Sequence, residues 1–239
     1  MHRFFAAQPC EIGREVALPQ DEAQHAARVL RLAPGQAVEL LDGQARWAAA
    51  LTQVSPQGAR AIVRALLADG EPRLRLTLCQ GLVKGDKMDW IVQKCTELGV
   101  HAVQPVRMRR CVAQDGGGRA LERWQRIARE AAKQCGRARV PGILPPVDWG
   151  GLALLLAQQD VALVPWEGAT TGSLARALDE TPARLALVIG PEGGMAEEEM
   201  AALTARGART VTLGPRILRA ETAAVAAVAA VMTICGDME

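Results

Sequence analysis

The sequence predicts an α/β protein, a mostly parallel sheet layered with helices and preceded by a smaller β-barrel-like domain. Three observations predict it. Beyond residue 73, short apolar runs alternate with stretches of helical periodicity, the pattern of a parallel sheet. Before residue 70, strand-like runs follow one another with turn signals between them. Asp69-Gly-Glu-Pro72 between the two has the composition of a linker. The expected domains are 1–70 and 73–239.

Residues 21–32 place Ala23, Ala26, Ala27 and Leu30 at helix spacing, and Pro34-Gly35 stops them. A strand over 38–41 runs into Asp42-Gly43, a hairpin signal. Residues 47–54 and 59–67 alternate loosely around Pro56-Gln-Gly58. In the second part, 74–82 reads as a strand. A helix over 84–98 carries Met88, Ile91, Val92, Cys95 and Leu98 on one face, with Gly99 past its end. A strand over 100–106 and a flexible Gly116-Gly-Gly118 loop lead to a helix over 119–135, closed by Gly136. Strands are expected over 161–166, 185–189 and 210–213, with helices around 173–179 and 196–206. The alanine-rich helix over 223–234 is too short to span a bilayer.

At 49% hydrophobic and 23% charged, the chain has the balance of a soluble globular protein. Five Trp, two Phe and no Tyr argue against a surface that stacks many bases on aromatic rings. Six scattered cysteines without a C-x-x-C pair exclude a zinc signature and a disulfide framework, so no metal is expected. With no signal peptide in sight, a reducing cytoplasm is the expected location. His2, His25 and His101 lie far apart, and no Ser-His-Asp spacing can be defended.

Net charge is only +2 but uneven. Residues 71–140 hold fifteen basic and seven acidic side chains, a local +8, whereas 141–239 hold six and twelve, a local −6. A basic middle fits a polyanion site, and it fits a solvated helix face equally well. In the 119–135 helix, Leu121, Trp124, Ala128, Ala131 and Cys135 form the buried stripe. Arg119, Arg123, Arg126, Arg129 and Lys133, with Arg137 beyond, take other faces. Only Glu122 and Glu130 balance them along the helix, and RNA phosphate is a natural counter-ion for the excess. Lys84 and Lys87 fit either a phosphate or base contact or a plain helix start.

Two glycine-bearing loops carry the most chemistry. Leu187-Val-Ile-Gly-Pro-Glu-Gly-Gly-Met195 and Leu213-Gly-Pro-Arg-Ile-Leu-Arg-Ala-Glu-Thr-Ala223 each follow a strand and run into a helix. Glycine at a strand end lets backbone approach a ligand. The first loop lacks the Lys-Ser/Thr of a phosphate cradle and the G-x-G-x-x-G spacing of a dinucleotide site, and Glu197, Glu198 and Glu199 repel phosphate. A cofactor without phosphate, such as S-adenosylmethionine, fits better. Arg219 and Glu221, just before the last helix, are expected as charges at a pocket mouth. A simple structural pair is the other reading.

Four stretches in order resemble the bacterial 16S ribosomal RNA (uracil-N3)-methyltransferase family of the SPOUT, or α/β-knot, class. They are Lys84-Gly-Asp-Lys-Met-Asp89 through Val100, Arg123-Trp-Gln-Arg126 through Arg137 with Val140-Pro141, Ile189-Gly-Pro-Glu-Gly-Gly194, and Leu213 to Ala223. Arg3-Phe-Phe5 and His25…Arg28-Val-Leu-Arg31-Leu32 also fit. The resemblance implies a PUA-like N-terminal barrel that docks RNA and a C-terminal trefoil-knotted methyltransferase domain. It also implies a homodimer whose active site draws on both subunits, and a small-subunit rRNA uridine as substrate. Its S-adenosylmethionine pocket would involve Leu163, Ile189, Gly190, Pro191, Gly193, Gly194, Leu213, Gly214, Ile217, Leu218, Thr222 and Ala223. Arg219 would stabilise charge on the base, with Glu221 orienting it or taking the proton, the first being preferred. RNA contacts would fall to Arg3, Arg28, Arg31, Lys84, Lys87, Arg123, Arg126, Gln134 and Arg137. Met195 stands where an aromatic is common in the family.

Overall fold

The computed structural model describes residues 1–68, 70–113, 116–169 and 172–238. The chain forms two units, Met1–Glu71 with Arg129–Val140, and Pro72–Ala128 with Pro141–Glu239. The last third of the long basic helix, from Arg129, therefore belongs to the first unit, a return that linker composition does not signal.

In the first unit β1 (His2–Phe5), β2 (Glu15–Ala17), β3 (Ala37–Leu41), β4 (Arg46–Ser55) and β5 (Gly58–Leu67) form one sheet in the order β1-β3-β4-β5-β2. β1 pairs with β3 in parallel and the other pairs are antiparallel. Ala7 N donates to Ala17 O at 3.1 Å, which draws the two edges together as in a barrel. Phe4, Val16, Val38, Leu40, Leu51 and Val63 fill the inside. The β3–β4 turn is held by Asp42, whose carboxylate accepts from Gln44 N, Ala45 N and Trp47 Nε1.

The helix expected over 21–32 is shorter and bends. α1 (Gln20–Gln24) continues as a π-helical turn, His25–Val29, and Leu30 N donates to His25 O. Arg31 then adopts φ 53°, a left-handed conformation that ends the helix. The wider turn lets Leu30 and Leu32 fold back onto the core after buried Ala26.

In the second unit the order is β6 (Arg75–Gly81), α2 (Lys87–Glu97), β7 (Ala102–Val106), α3 (Gly117–Cys135), β8 (Gly142–Ile143), α4 (Trp149–Leu156), β9 (Val161–Pro165), α5 (Leu174–Ala177), β10 (Arg184–Ile189), α6 (Glu197–Thr204), β11 (Arg209–Val211) and α7 (Ala220–Ile234). The sheet runs β11-β9-β10-β6-β7-β8 and is parallel throughout. Both faces are covered, so the strands read as continuous apolar runs. On one face Leu78 and Leu187 meet Ile91, Cys95, Val228 and Met232. On the other, Val164 and Val188 meet Leu152, Met200 and Leu203. The small side chains of Ala224 and Ala227 are fully buried, which lets α7 lie close to its neighbours.

β8 and α4 carry weak local signals. Gly150-Gly151 in the first turn of α4 disfavours helix. Asp148 compensates as N-cap, its side chain accepting from Gly151 N at 3.0 Å. α7 begins at Ala220 rather than at 223, so Glu221 and Thr222 lie inside its first turn and Arg219 is the N-cap residue. α2 begins only at Lys87, because Lys84 N is held in a turn by Glu192 Oε1 at 3.0 Å. Of the Gly116–Gly118 loop, Gly117 and Gly118 already belong to α3.

Candidate active site

The two glycine loops leave the carboxyl ends of β10 and β11, where parallel sheets hold their ligands. Gly194 turns the first loop with φ 69°, and its N–H donates to Pro191 O at 2.9 Å. The loop lies directly on the end of β6. A Cβ on Gly81 would stand 2.7 Å from both Cδ and N of Pro191. The second loop turns at Gly214, φ 103°, whose N–H donates to Thr212 Oγ1 at 3.1 Å.

A cavity of about 410 Å³ opens between the loops. Ile189, Pro191, Met195, Ile217, Leu218 and Ala223 form its apolar wall. Glu167, Glu192, Glu221, Lys87 and Arg219 supply its charges. A neighbouring recess shares Ile217, Leu218 and Ala223 and adds Leu213 and Gly214.

The charges are not evenly matched. Lys87 Nζ donates to Glu192 Oε1 at 2.9 Å and lies 3.8 Å from Glu221 Oε2. The hydrogen bond to Glu192 pushes the Lys87 ammonium above its ordinary value, with the nearby carboxylate charges adding to it. Burial pushes the Glu192 carboxyl up, but the Lys84 N–H and Lys87 outweigh it and hold the group below the usual carboxylate range. Glu221 Oε2 is buried without a hydrogen-bond partner among the described residues. Arg219 is exposed and, among the described residues, makes no ion pair with Glu221. The expected orientation of Arg219 by Glu221 is therefore not what the geometry offers: the cation beside Glu221 is Lys87.

Of the expected pocket residues, the cavity brings together Ile189, Gly190, Pro191, Gly194, Ile217, Leu218 and Ala223 with Arg219 and Glu221. Leu213 and Gly214 line the recess. Leu163 is fully buried in the sheet core. Gly193 backs onto Arg110, where a Cβ would come within 3.1 Å. Thr222 is exposed on α7. Pro165, Glu167 and Met195 join the lining without a spacing signal to announce them, and Lys87 joins it from the set expected to touch RNA.

The expected unpaired excess on the basic helix is corrected by partners distant in sequence. Arg123 pairs with Asp89. Lys133 and Arg129 converge on Glu22, which is 3% exposed. Arg137 pairs with Glu71 at 2.9 Å, both buried. Arg3 pairs with Glu39 at 2.8 Å and donates to the Gln134 carbonyl at 2.6 Å. Arg28, Arg31, Lys84 and Arg126 are exposed. Arg126 has no partner among the described residues. Among those residues there is also no cluster of three potential metal ligands, and no helix is long and apolar enough to cross a membrane.

The chain is similar to known proteins over most of its length. Residues 70–232 match the RNA methyltransferase domain, and 18–64 match the RNA methyltransferase PUA domain. Ribosomal RNA small subunit methyltransferase E of Mycobacterium bovis is 37% identical over 243 aligned positions, covering 95% of this chain and 90% of that protein. The protein of the same name from Synechocystis is 34% identical, covering 95% and 76%. The crystal structure of ribosomal RNA small subunit methyltransferase E from Neisseria gonorrhoeae, bound to S-adenosyl methionine, superposes with a TM-score of 0.87 at 34% identity, covering 98% of each chain.

Proposed function

This chain belongs to the RNA methyltransferase family, in the company of the small-subunit methyltransferase E proteins, and we propose that it uses S-adenosylmethionine to methylate N3 of a uridine in 16S ribosomal RNA. The cavity between the glycine loops, apolar on one wall and charged at its mouth, carries the reading.

The residues fit that cofactor. The cavity lies within the roughly 300–1,000 Å³ typical of small-molecule sites. Its three carboxylates against two cations suit a ligand of net positive charge. Backbone groups at Gly190, Gly194, Leu213 and Gly214 would hold the adenosine part, against Ile189, Ile217, Leu218 and Ala223. When bound, the cofactor supplies an electrophilic methyl group.

The chain's own residues prepare the base. Uracil N3 carries a proton at neutral pH, and its electron pair becomes available only when that proton leaves. Loss of the proton spreads negative charge over the flanking carbonyl oxygens. Arg219, exposed at the cavity mouth, stabilises that charge. The Glu221 carboxylate, which lines the cavity and whose Oε2 has no hydrogen-bond partner among the described residues, takes the proton. The same reading includes a trefoil knot closed by α7 and a homodimer. Ile217, 86% exposed at the cavity mouth, is the kind of apolar side chain a second copy would cover. Light scattering of the purified protein tests the dimer.

The decisive experiment incubates the protein with labelled S-adenosylmethionine and small subunits lacking the modification, then identifies the labelled nucleoside. Label in 3-methyluridine is expected. Label in a ribose-methylated nucleoside would overturn the assignment of N3. Arg219→Ala is expected to lose transfer while retaining cofactor binding.

A further inference from the structure

We propose that Lys87 is a second catalytic cation, paired across the cavity with Arg219, so that the two together hold the two carbonyl oxygens flanking N3 of the target uracil. The inference rests on the N3 reading above. Placed on the chain at the start of a helix, Lys87 reads as a phosphate contact or a helix opener. The fold puts it elsewhere, in the wall of the same cavity as Arg219 and Glu221.

The chemistry of the base asks for two cations. When the N3–H bond breaks, its electron pair stays on N3 and its proton passes to Glu221. The negative charge is then shared by O2 and O4, on opposite sides of N3. A single guanidinium beside one oxygen leaves the other unbalanced in a cavity with an apolar wall, where charge is costly. Lys87 comes from α2 and Arg219 from the start of α7, so the two cations reach the cavity from separate elements.

Lys87 is equipped for this task. Its Nζ carries three donors, of which Glu192 takes one at 2.9 Å, and Glu221 Oε2 at 3.8 Å is beyond hydrogen-bond reach. At least one N–H is therefore free for a ligand. The charges facing it are Glu192 from the first loop and Glu221 and Arg219 from the start of α7, and the carboxylates keep it protonated. Glu192 in turn is fixed by Lys84 N, so the ammonium hangs from a rigid bracket rather than from a mobile side chain. The arrangement also selects its base. Cytosine has an amino group at C4 and no N3 proton, so it offers one oxygen to two cations and no proton to Glu221.

The test compares Lys87→Met and Lys87→Arg with the wild type on unmodified small subunits. S-adenosylhomocysteine binding is followed by calorimetry. The expected result is near-wild-type affinity for S-adenosylhomocysteine in both variants, with kcat down about a hundredfold in Lys87→Met and largely restored in Lys87→Arg. Subunits carrying 5-fluorouridine at the target, whose N3 proton is more acidic, should shrink the Lys87→Met deficit relative to wild type. A structural role would leave the deficit equal on both substrates and would overturn the proposal. A raised KM with unchanged kcat would assign Lys87 to RNA docking and overturn it equally. If the wild type forms no 3-methyluridine, the N3 reading falls and takes this inference with it. A wild type that forms it beside an equally fast Lys87→Met removes the second cation alone.

Discussion

Glu22 and Glu221 are both carboxylates near the start of a helix, and the fold treats them in opposite ways. Glu22, in the first unit, is 3% exposed and receives Lys133, Arg129 and the Phe5 N–H. Glu221, in the second, has a buried oxygen with no hydrogen-bond partner among the described residues, and its nearest cation is already donating to Glu192. A buried charge that is fully matched contributes to holding the fold. One that is left short costs free energy until a water, a ligand or another donor supplies the missing hydrogen bond. The same contrast divides the cations: Arg137 is buried against Glu71, while Arg219 stands exposed at a cavity.

The contrast can be broken most strongly at Glu22. Glu22→Gln leaves the nearly buried Lys133 without its carboxylate, Arg129 keeping only Asp21 at 4.0 Å, and should lower the unfolding free energy by about 3–5 kcal/mol, read from chemical denaturation. Glu221→Gln, which removes an under-matched charge, should not lower it while abolishing methyl transfer. Equal losses of stability would erase the distinction. Next in size is Gly81→Ala. Its Cβ would meet backbone and ring atoms of Pro191 at 2.7 Å, so the first glycine loop must shift. Cofactor affinity should fall at least about tenfold, or ~1.4 kcal/mol, by calorimetry. An unchanged Kd would mean the loop does not shape the pocket.

A third effect depends on pH. Burial raises the Glu39 carboxyl, but the Arg3 hydrogen bond and the Arg46 charge outweigh it, so its folded value lies below the ordinary 4.5. A depressed carboxylate contributes stability above its unfolded value, and that contribution disappears as pH falls through the folded one. Glu39→Gln should therefore be less stable than wild type at neutral pH, and the two denaturation curves should converge on acidification. A gap that persists in acid would point to packing rather than charge.

What could be read along the chain and what could not follow the same division. The parallel strands announce themselves as short continuous apolar runs because both their faces are buried, and α2 because burial on one face writes a helical period. The glycine loops do so because tight turns require particular residues. The π-helical turn after α1 leaves no such mark, since the same alanines suit a regular helix. Partners are the harder problem. Lys133 finds Glu22 across 111 positions and Arg3 finds Glu39 across 36, so a helix that looks unbalanced along its length is matched in space at several positions, Arg126 excepted among the described residues. Lys87 shows the reverse. Its local setting speaks of a helix start, and only the fold brings it to Glu192 and Glu221. Leu163 illustrates the limit for apolar positions: it sits on β9 beside the pocket-lining Pro165 yet is wholly buried in the sheet.

The smallest effect on stability belongs to Arg126, and it separates the two kinds of cation most finely. Arg126 and Arg137 both belong to the basic stretch that suggests RNA. Arg137 is 7% exposed and shares Glu71 at 2.9 Å, so Arg137→Gln strands a buried carboxylate and should cost about 3–5 kcal/mol of stability. Arg126 is exposed, with no acidic partner among the described residues, and Arg126→Gln should stay within about 0.5 kcal/mol of wild type. If its charge meets RNA phosphate, the same substitution should weaken RNA binding and reduce the salt slope of log K by about one, whatever the RNA sequence. A slope unchanged in Arg126→Gln would place this face of the helix in solvent. The RNA footprint would then have to lie elsewhere, with exposed Arg28 and Arg31 the next side chains to replace.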